Sequence, residues 1–331
     1  MNVPVVWHES YEVDIGPHVF PTAKYRLVRD RLIAEGTIRE ADIVRPDPAR
    51  DEDVALIHTA AYLQQIQTET LSAEQQLILE VPFSPALREA AWRCAGGSAL
   101  TGRLALERGV AVHLGGGFHH AFPDHGEGFC LINDVAIAIR MLQRDRLIHR
   151  ALVIDCDVHH GNGTAAIFTA DPDVFTFSMH QEHNYPARKP PSDLDIGLED
   201  GTGDDEYRQL LGRHLPEVVT RHVPELAFYL AGADPYREDQ LGGLALTREG
   251  LRARDELVFE LLGRAGIAVA VVLAGGYARR PEDTIGIHCA TVRAAKDAAG
   301  GVNRSPDAHS FRSATRPPSA VAQKTNIHPH A

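Results

Sequence analysis

"ALVIDCDVHHGNG", Ala151 to Gly163, joins an apolar run to a dense polar cluster. It opens with four apolar residues and then delivers Asp155, Asp157, His159 and His160 within six positions. A strand without polar alternation belongs to a sheet covered on both faces. A polar cluster directly after such a strand marks the edge where parallel sheets gather ligands. The segments 110–114, 174–180, 226–234 and 268–276 have the same apolar character. Helical patterns lie between them at 85–108, 132–145, 204–222, 248–265 and 282–299. This alternation predicts an α/β fold: a single domain over residues 1–300, with a mostly parallel multi-stranded sheet and helices on both faces. Residues 22–36 and 51–67 also read as helices, and no linker separates them from the rest. From 301 to 331 the chain is rich in Ser, Pro, Arg and His, which predicts a disordered tail.

The 331 residues carry a net charge of −12, so a basic nucleic-acid-binding face is not expected. The tail is basic, which leaves the remainder more acidic still and better suited to cationic ligands. No apolar run of about 18 residues predicts a membrane span, and "MNVPVVWHES" is not a secretion signal. The four cysteines (Cys94, Cys130, Cys156 and Cys289) form no C-x-x-C pair. Reduced, buried thiols in a cytoplasmic protein are the expectation.

Three of the predicted strands run into polar clusters, and a fourth ends in "AGGY". On an extended segment, positions i and i+2 point the same way, so Asp157 and His159 can share one metal ion. Asp234, ending "LAFYLAGAD", can supply the third ligand. Singly, each residue has a plain structural reading as a helix cap, a strand-end histidine or the start of a turn. Jointly, two carboxylates and one imidazole suit zinc or iron(II) with open positions for water and substrate. A second unusual stretch, "GGGFHHA" (115–121), sets His119 beside His120 after another strand. Imidazoles near a metal can move protons, provided a partner fixes the tautomer of each ring. Asp155 and Asn162 flank the metal motif and suit that task. An aspartate partner stabilises a charged ring and an asparagine only orients one, so the two pKa values should separate. Tyr277, after "AGG", could donate a hydrogen bond to an oxyanion; taken alone, it is more simply a half-buried tyrosine.

Together, "GGGFHHA", "GEGFCLINDVAIA", "VIDCDVHHGNGT", "AGADPYREDQLGGL" and "LAGGYA" resemble the zinc-dependent histone deacetylase family, of arginase-like α/β fold. Segments 184–207 and 241–259 look most like its class IV branch and the bacterial relatives of that branch. The resemblance implies that Asp157, His159 and Asp234 hold zinc. It implies that His120 is the base for the attacking water and the acid for the leaving amine. Asp155 then orients His119, and Asn162, where many members carry Asp, orients His120. Tyr277 polarises the substrate carbonyl. Gly128 and Phe129 wall the tunnel that holds an acyl-lysine chain, with Tyr185 opposite. Potassium is implied at the backbone of Asp155, Asp157, His159 and Ser178. The implied partners are acylated lysine in a peptide or protein, with the acyl group acetyl or longer, or an acylated polyamine. A non-catalytic acyl-lysine binder would be expected to have lost a ligand or the tyrosine. A di-manganese ureohydrolase would need a second metal at the same sheet edge, and the tandem histidines and "GEGFC" speak against it.

Overall fold

The computed structural model describes residues 3–301 and 325–327. Nine strands occur among them: β1 (Val5–Val6), β2 (Ile43–Val44), β3 (Val110–His113), β4 (Ala151–Asp155), β5 (Val174–Gln181), β6 (Leu194–Leu198), β7 (Leu226–Leu230), β8 (Ala268–Val272) and β9 (Thr325–Ile327). The α-helices are α1 (Lys24–Ala34), α2 (Asp51–Val54), α3 (Ala60–Gln67), α4 (Ala73–Leu79), α5 (Pro85–Arg108), α6 (Asp134–Arg144), α7 (Asn162–Ile167), α8 (Asp204–His222), α9 (Arg248–Arg264) and α10 (Pro281–Gly301).

All strands pair in parallel in one sheet of order β2-β1-β3-β8-β7-β4-β5-β6-β9. Every residue of β3, β4 and β7 is buried, as their continuous apolar sequence requires of strands covered on both faces. Helix α5 packs on β3 and β8 and is itself covered by α6. Helices α9 and α10 pack on each other, with α8 against α9 and α1 against α10. One continuous hydrophobic core joins these layers.

The strand order is what builds the site. Strands β3, β8, β7 and β4 lie side by side, although residues 110, 268, 226 and 151 begin them. Their C-terminal ends therefore deliver "GGGFHH", "LAGGY", "AGAD" and "DCDVHHG" to one stretch of the sheet edge.

Several expectations need correcting. The 51–67 helix is two helices, α2 and α3. Thr59 interrupts it by capping α3: its hydroxyl accepts from the Tyr62 amide, while its own amide donates to the Pro123 carbonyl. Strands β4, β7 and β8 are shorter than read, ending at Asp155, Leu230 and Val272. Strands β1, β2 and β6 and helices α4 and α7 were not anticipated. Most of the expected disordered tail, 302–324 and 328–331, lies outside the described residues. Residues 325–327 pair with β6 at the sheet edge.

Candidate active site

Asp157, His159 and Asp234 each offer a ligand atom within 4.8 Å of the others, and all three are buried. The reason differs from the one read in the sequence. Asp157 and His159 lie past the end of β4, in a bend rather than on an extended strand. Asp155 Oδ1 accepts from the Asp157 amide (3.1 Å), and Asp157 Oδ1 accepts from the His159 amide (3.0 Å). Those bonds turn the chain so that His159 Nδ1 stands 3.0 Å from Asp157 Oδ1 and 3.5 Å from Asp234 Oδ2. Asp234 lies four residues past β7, and its Oδ1 accepts from the Val158 amide (2.9 Å).

A cation fits this set. Asp234 Oδ2 is buried with no hydrogen-bond partner, an arrangement that is costly unless something positive completes it. Burial and the Asp157 charge push the Asp234 carboxyl up to about 7. Burial pulls the His159 imidazole down, yet its hydrogen bond to Asp157 and the charges of Asp157 and Asp234 carry it to about 10. Two carboxylates and one imidazole, buried together, match the donor preference of zinc or iron(II).

His119 and His120 border this set, with His119 Nε2 3.8 Å from Asp157 Oδ1 and the His120 ring 6.0 Å from that of His159. The ring nitrogens Nε2 of the pair lie 3.1 Å apart. His119 Nδ1 is 2.7 Å from Asp155 Oδ2, and His120 Nδ1 is 2.7 Å from Asn162 Oδ1. Burial lowers the His119 pKa, but the Asp155 and Asp157 charges outweigh it and raise the pKa to about 9. Burial and the positive charges of His119 and His159 drive His120 well below the usual histidine value. His120 is thus neutral, with its proton on Nδ1 toward Asn162 and the lone pair on Nε2. His119 is the ring that carries charge.

Tyr277, buried after β8, has its ring 6.4 Å from that of His159 and 6.0 Å from that of Phe129. Phe129 is held at φ +70 behind Gly128 at φ +52, a left-handed pair that is strained for a bulky side chain. Phe129 stacks on Phe20 with centroids 6.0 Å apart. Tyr185 does not face Phe129 in any ring contact; its ring meets His120 edge-on at 5.0 Å.

Three residues went unread in the sequence. Glu127 Oε1 accepts from Asn162 Nδ2 (2.6 Å) and from the Tyr185 hydroxyl (2.8 Å). Asp239 accepts from the Tyr277 amide at 2.7 Å. Lys24 is buried and donates to the Ala274 carbonyl at 2.7 Å, and burial brings its ammonium down to about 8. Lys24 opens a helix that also carries Arg26, Arg29, Asp30 and Arg31, so its burial had no local signal, and neither did the contacts of Glu127 and Asp239.

A family model described as the histone deacetylase domain matches residues 18–292. The chain belongs to the histone deacetylase family. This deacetylase-family chain is 42% identical to an uncharacterized protein of Picosynechococcus sp., across 90% of this chain and 99% of that one. It is 31% identical to histone deacetylase 2 of Arabidopsis thaliana, across 83% of this chain and 75% of the relative. The crystal structure of an HDAC homologue complexed with SAHA superposes with a TM-score of 0.77 at 25% identity, covering 91% of this chain and 84% of that one.

Proposed function

We propose that this histone deacetylase family protein is a zinc-dependent amidohydrolase that removes acyl groups from lysine side chains. The observation that carries the reading is the buried three-donor set, with Asp234 Oδ2 making no hydrogen bond, beside the neutral His120 ring 6.0 Å from that of His159. Asp157, His159 and Asp234 would hold the zinc, or iron(II) in its place. When bound, such an ion supplies a Lewis acid for the amide carbonyl and lowers the pKa of a bound water.

The chain's own groups do the rest. His120 Nε2 accepts the proton of the attacking water, with Asn162 fixing its tautomer. The Tyr277 phenol donates to the carbonyl oxygen as that oxygen gains charge. The departing amine takes a proton from the histidine pair. His120 is the donor that the family resemblance implies, and His119, with its pKa near 9, holds a proton ready to replace the one given up. Gly128, Phe129 and Tyr185 line the approach for the lysine stem. The backbone of Asp155, Asp157, His159 and Ser178 is the proposed potassium site; Asp155 and Ser178 are partners in the β4–β5 register. Four buried, free cysteines support a cytoplasmic setting.

The acyl group is proposed to be acetyl first. A cavity of about 30 Å³, lined by Phe20, Tyr25, Phe118, Phe129 and Leu131 among others, adjoins the proposed tunnel wall at Phe129. Longer chains, as in the class IV reading, are the alternative that the substrate panel separates. The acidic body supports a second substrate, an acetylated polyamine.

The test is turnover of acetyl-lysine peptide, myristoyl-lysine peptide and acetylated polyamine by wild type, Tyr277→Phe and His120→Ala. The expected result is preference for acetyl-lysine, with both variants slowed about 100-fold or more while retaining zinc. Undiminished rates in either variant remove that residue from the mechanism, and no turnover of any substrate leaves a binding protein.

A further inference from the structure

A second set of metal-type donors stands next to the first and shares no residue with it. His160, His180 and Asp195 each offer one ligand atom within 4.8 Å of the others. They are 0%, 2% and 4% exposed. They come from three separate places: the bend after β4, strand β5 and strand β6. The sheet itself makes them converge. Ser178 and His180 lie two apart on β5 and so share a face, and Asp195 is the register partner of Ser178.

The orientation of each group is fixed. His160 Nε2 lies 3.2 Å from Asp195 Oδ1 and 3.3 Å from Ser192 Oγ. Asp195 Oδ2 accepts from the Ser192 amide at 2.8 Å. His180 Nδ1 meets Ser178 Oγ at 2.9 Å, which leaves Nε2 as the atom it can offer. The two rings sit edge to face with centroids 4.6 Å apart. The buried His160 Nδ1 makes no hydrogen bond. One ion pair, His160 to Asp195, does not explain why a second imidazole is buried against the first. Burial and the His160 charge hold the His180 pKa down to about 3, so this ring is a neutral ligand at working pH. The serines are partners of the kind that set ring orientation in metal sites.

The set is also reachable. His180 and Asp195 line a cavity of about 760 Å³ together with Glu182, Asn184, Tyr185 and Lys189. The Lys189 ammonium is turned onto the carbonyls of Asn184 (2.8 Å) and Pro186 (2.9 Å).

We propose that His160, His180 and Asp195 form a second divalent-metal site, of the zinc or cobalt(II) type, open toward this cavity. Its role is structural. It ties the bend after β4 to β5 and β6, the two strands that bracket the loop presenting Tyr185 to His120. It does not form a bridged dinuclear centre with the first set, because no carboxylate belongs to both. The proposal stands whether or not the chain proves to be a deacylase.

The test is metal counting. The full chain, stripped with a chelator and equilibrated with submicromolar free zinc, should hold two zinc ions by elemental analysis. His180→Asn and Asp195→Asn should each hold one, and so should the double variant Asp157→Asn/Asp234→Asn. Zinc should still raise the melting temperature of that double variant, and adding His180→Asn should abolish the rise. One ion in wild type, or two in both His180→Asn and Asp195→Asn, overturns the proposal. Should His180→Asn fail to fold, the double variant decides alone: one tightly held zinc supports the site and none overturns it. Loss of all metal from the double variant would indicate a coupled dinuclear centre instead, and would equally overturn an independent second site.

Discussion

Gly275 defines how tightly the first donor set is built. A Cβ at this position would stand 1.9 Å from Asp234 Oδ2 and 2.6 Å from Asp157 Oδ2, while the Gly275 amide donates to Asp157 Oδ2 at 2.8 Å. The expected outcome of Gly275→Ala is loss of zinc affinity by about 10-fold or more, with the fold retained, read by metal titration and circular dichroism. Asn162 allows a sharper experiment. It stands between His120 and Glu127, whose carboxylate is held below its ordinary value, against burial, by hydrogen bonds from His125, Tyr185 and Asn162. In Asn162→Asp a second carboxylate faces His120 and stabilises its charged form. The base then deprotonates only at higher pH, so the acid limb of the kcat/KM profile should move up by about one unit. An unmoved limb would mean that His120 is not the group titrating. Asp157, His159, Asp155 and Asn162 were legible because they crowd one short motif. Glu127 was not, because its partners Asn162 and Tyr185 are 35 and 58 residues away.

At the scale of elements, local signals placed most helices within a residue or two. Helix α5 begins where Ser84 caps the Leu87 amide with Pro85 in the first turn, and ends at Gly109 in a positive-φ conformation. What the helix packs against could not be read. Gly102 looks like a flaw in a helix interior, yet a Cβ there would meet Leu142 Cδ1 at 2.6 Å and the Phe228 ring at 3.2 Å. The missing side chain is what lets α5 lie close to α6 and β7. Gly102→Leu should therefore destabilise the protein by about 1–3 kcal/mol through overpacking, measured by urea unfolding. A neutral or stabilising result would mean that the two layers can separate at no cost.

At the scale of the molecule, buried histidines held neutral set the acid limit of stability, and His58 and His113 are two that belong to neither donor set. His58 accepts from the Asn133 amide, and His113 lies between the Tyr11 hydroxyl and Ser98 Oγ. Burial lowers their pKa values to about 4 and about 3. The unfolded chain binds these protons near pH 6.5 and the folded chain does not. Stability therefore falls as pH drops from 6.5 toward 4, by up to about 1.4 kcal/mol per pH unit for each ring. His119, with its pKa near 9, is charged in both states across that window and adds no slope. Urea melts at pH 7 and pH 5 should show the loss, and His113→Gln should reduce the slope by the share of one ring. A pH-independent melt would mean that the rings are solvated.

The α/β class, the five central strands with their flanking helices, and the candidates for metal and proton chemistry were legible in the residues alone. These are local matters: apolar runs, helix periodicity, caps, and polar clusters a few residues long. Only the tertiary structure decided that β3, β8, β7 and β4 are neighbours, that a bend rather than an extended strand aims Asp157 and His159 together, and that Glu127, Asp239, Lys24 and the His160–His180–Asp195 set have partners at all. The physical reason is distance along the chain. Burial, close approach and charge act between groups that folding brings within a few ångströms, and nothing in a residue's own neighbourhood in sequence records which distant groups those will be.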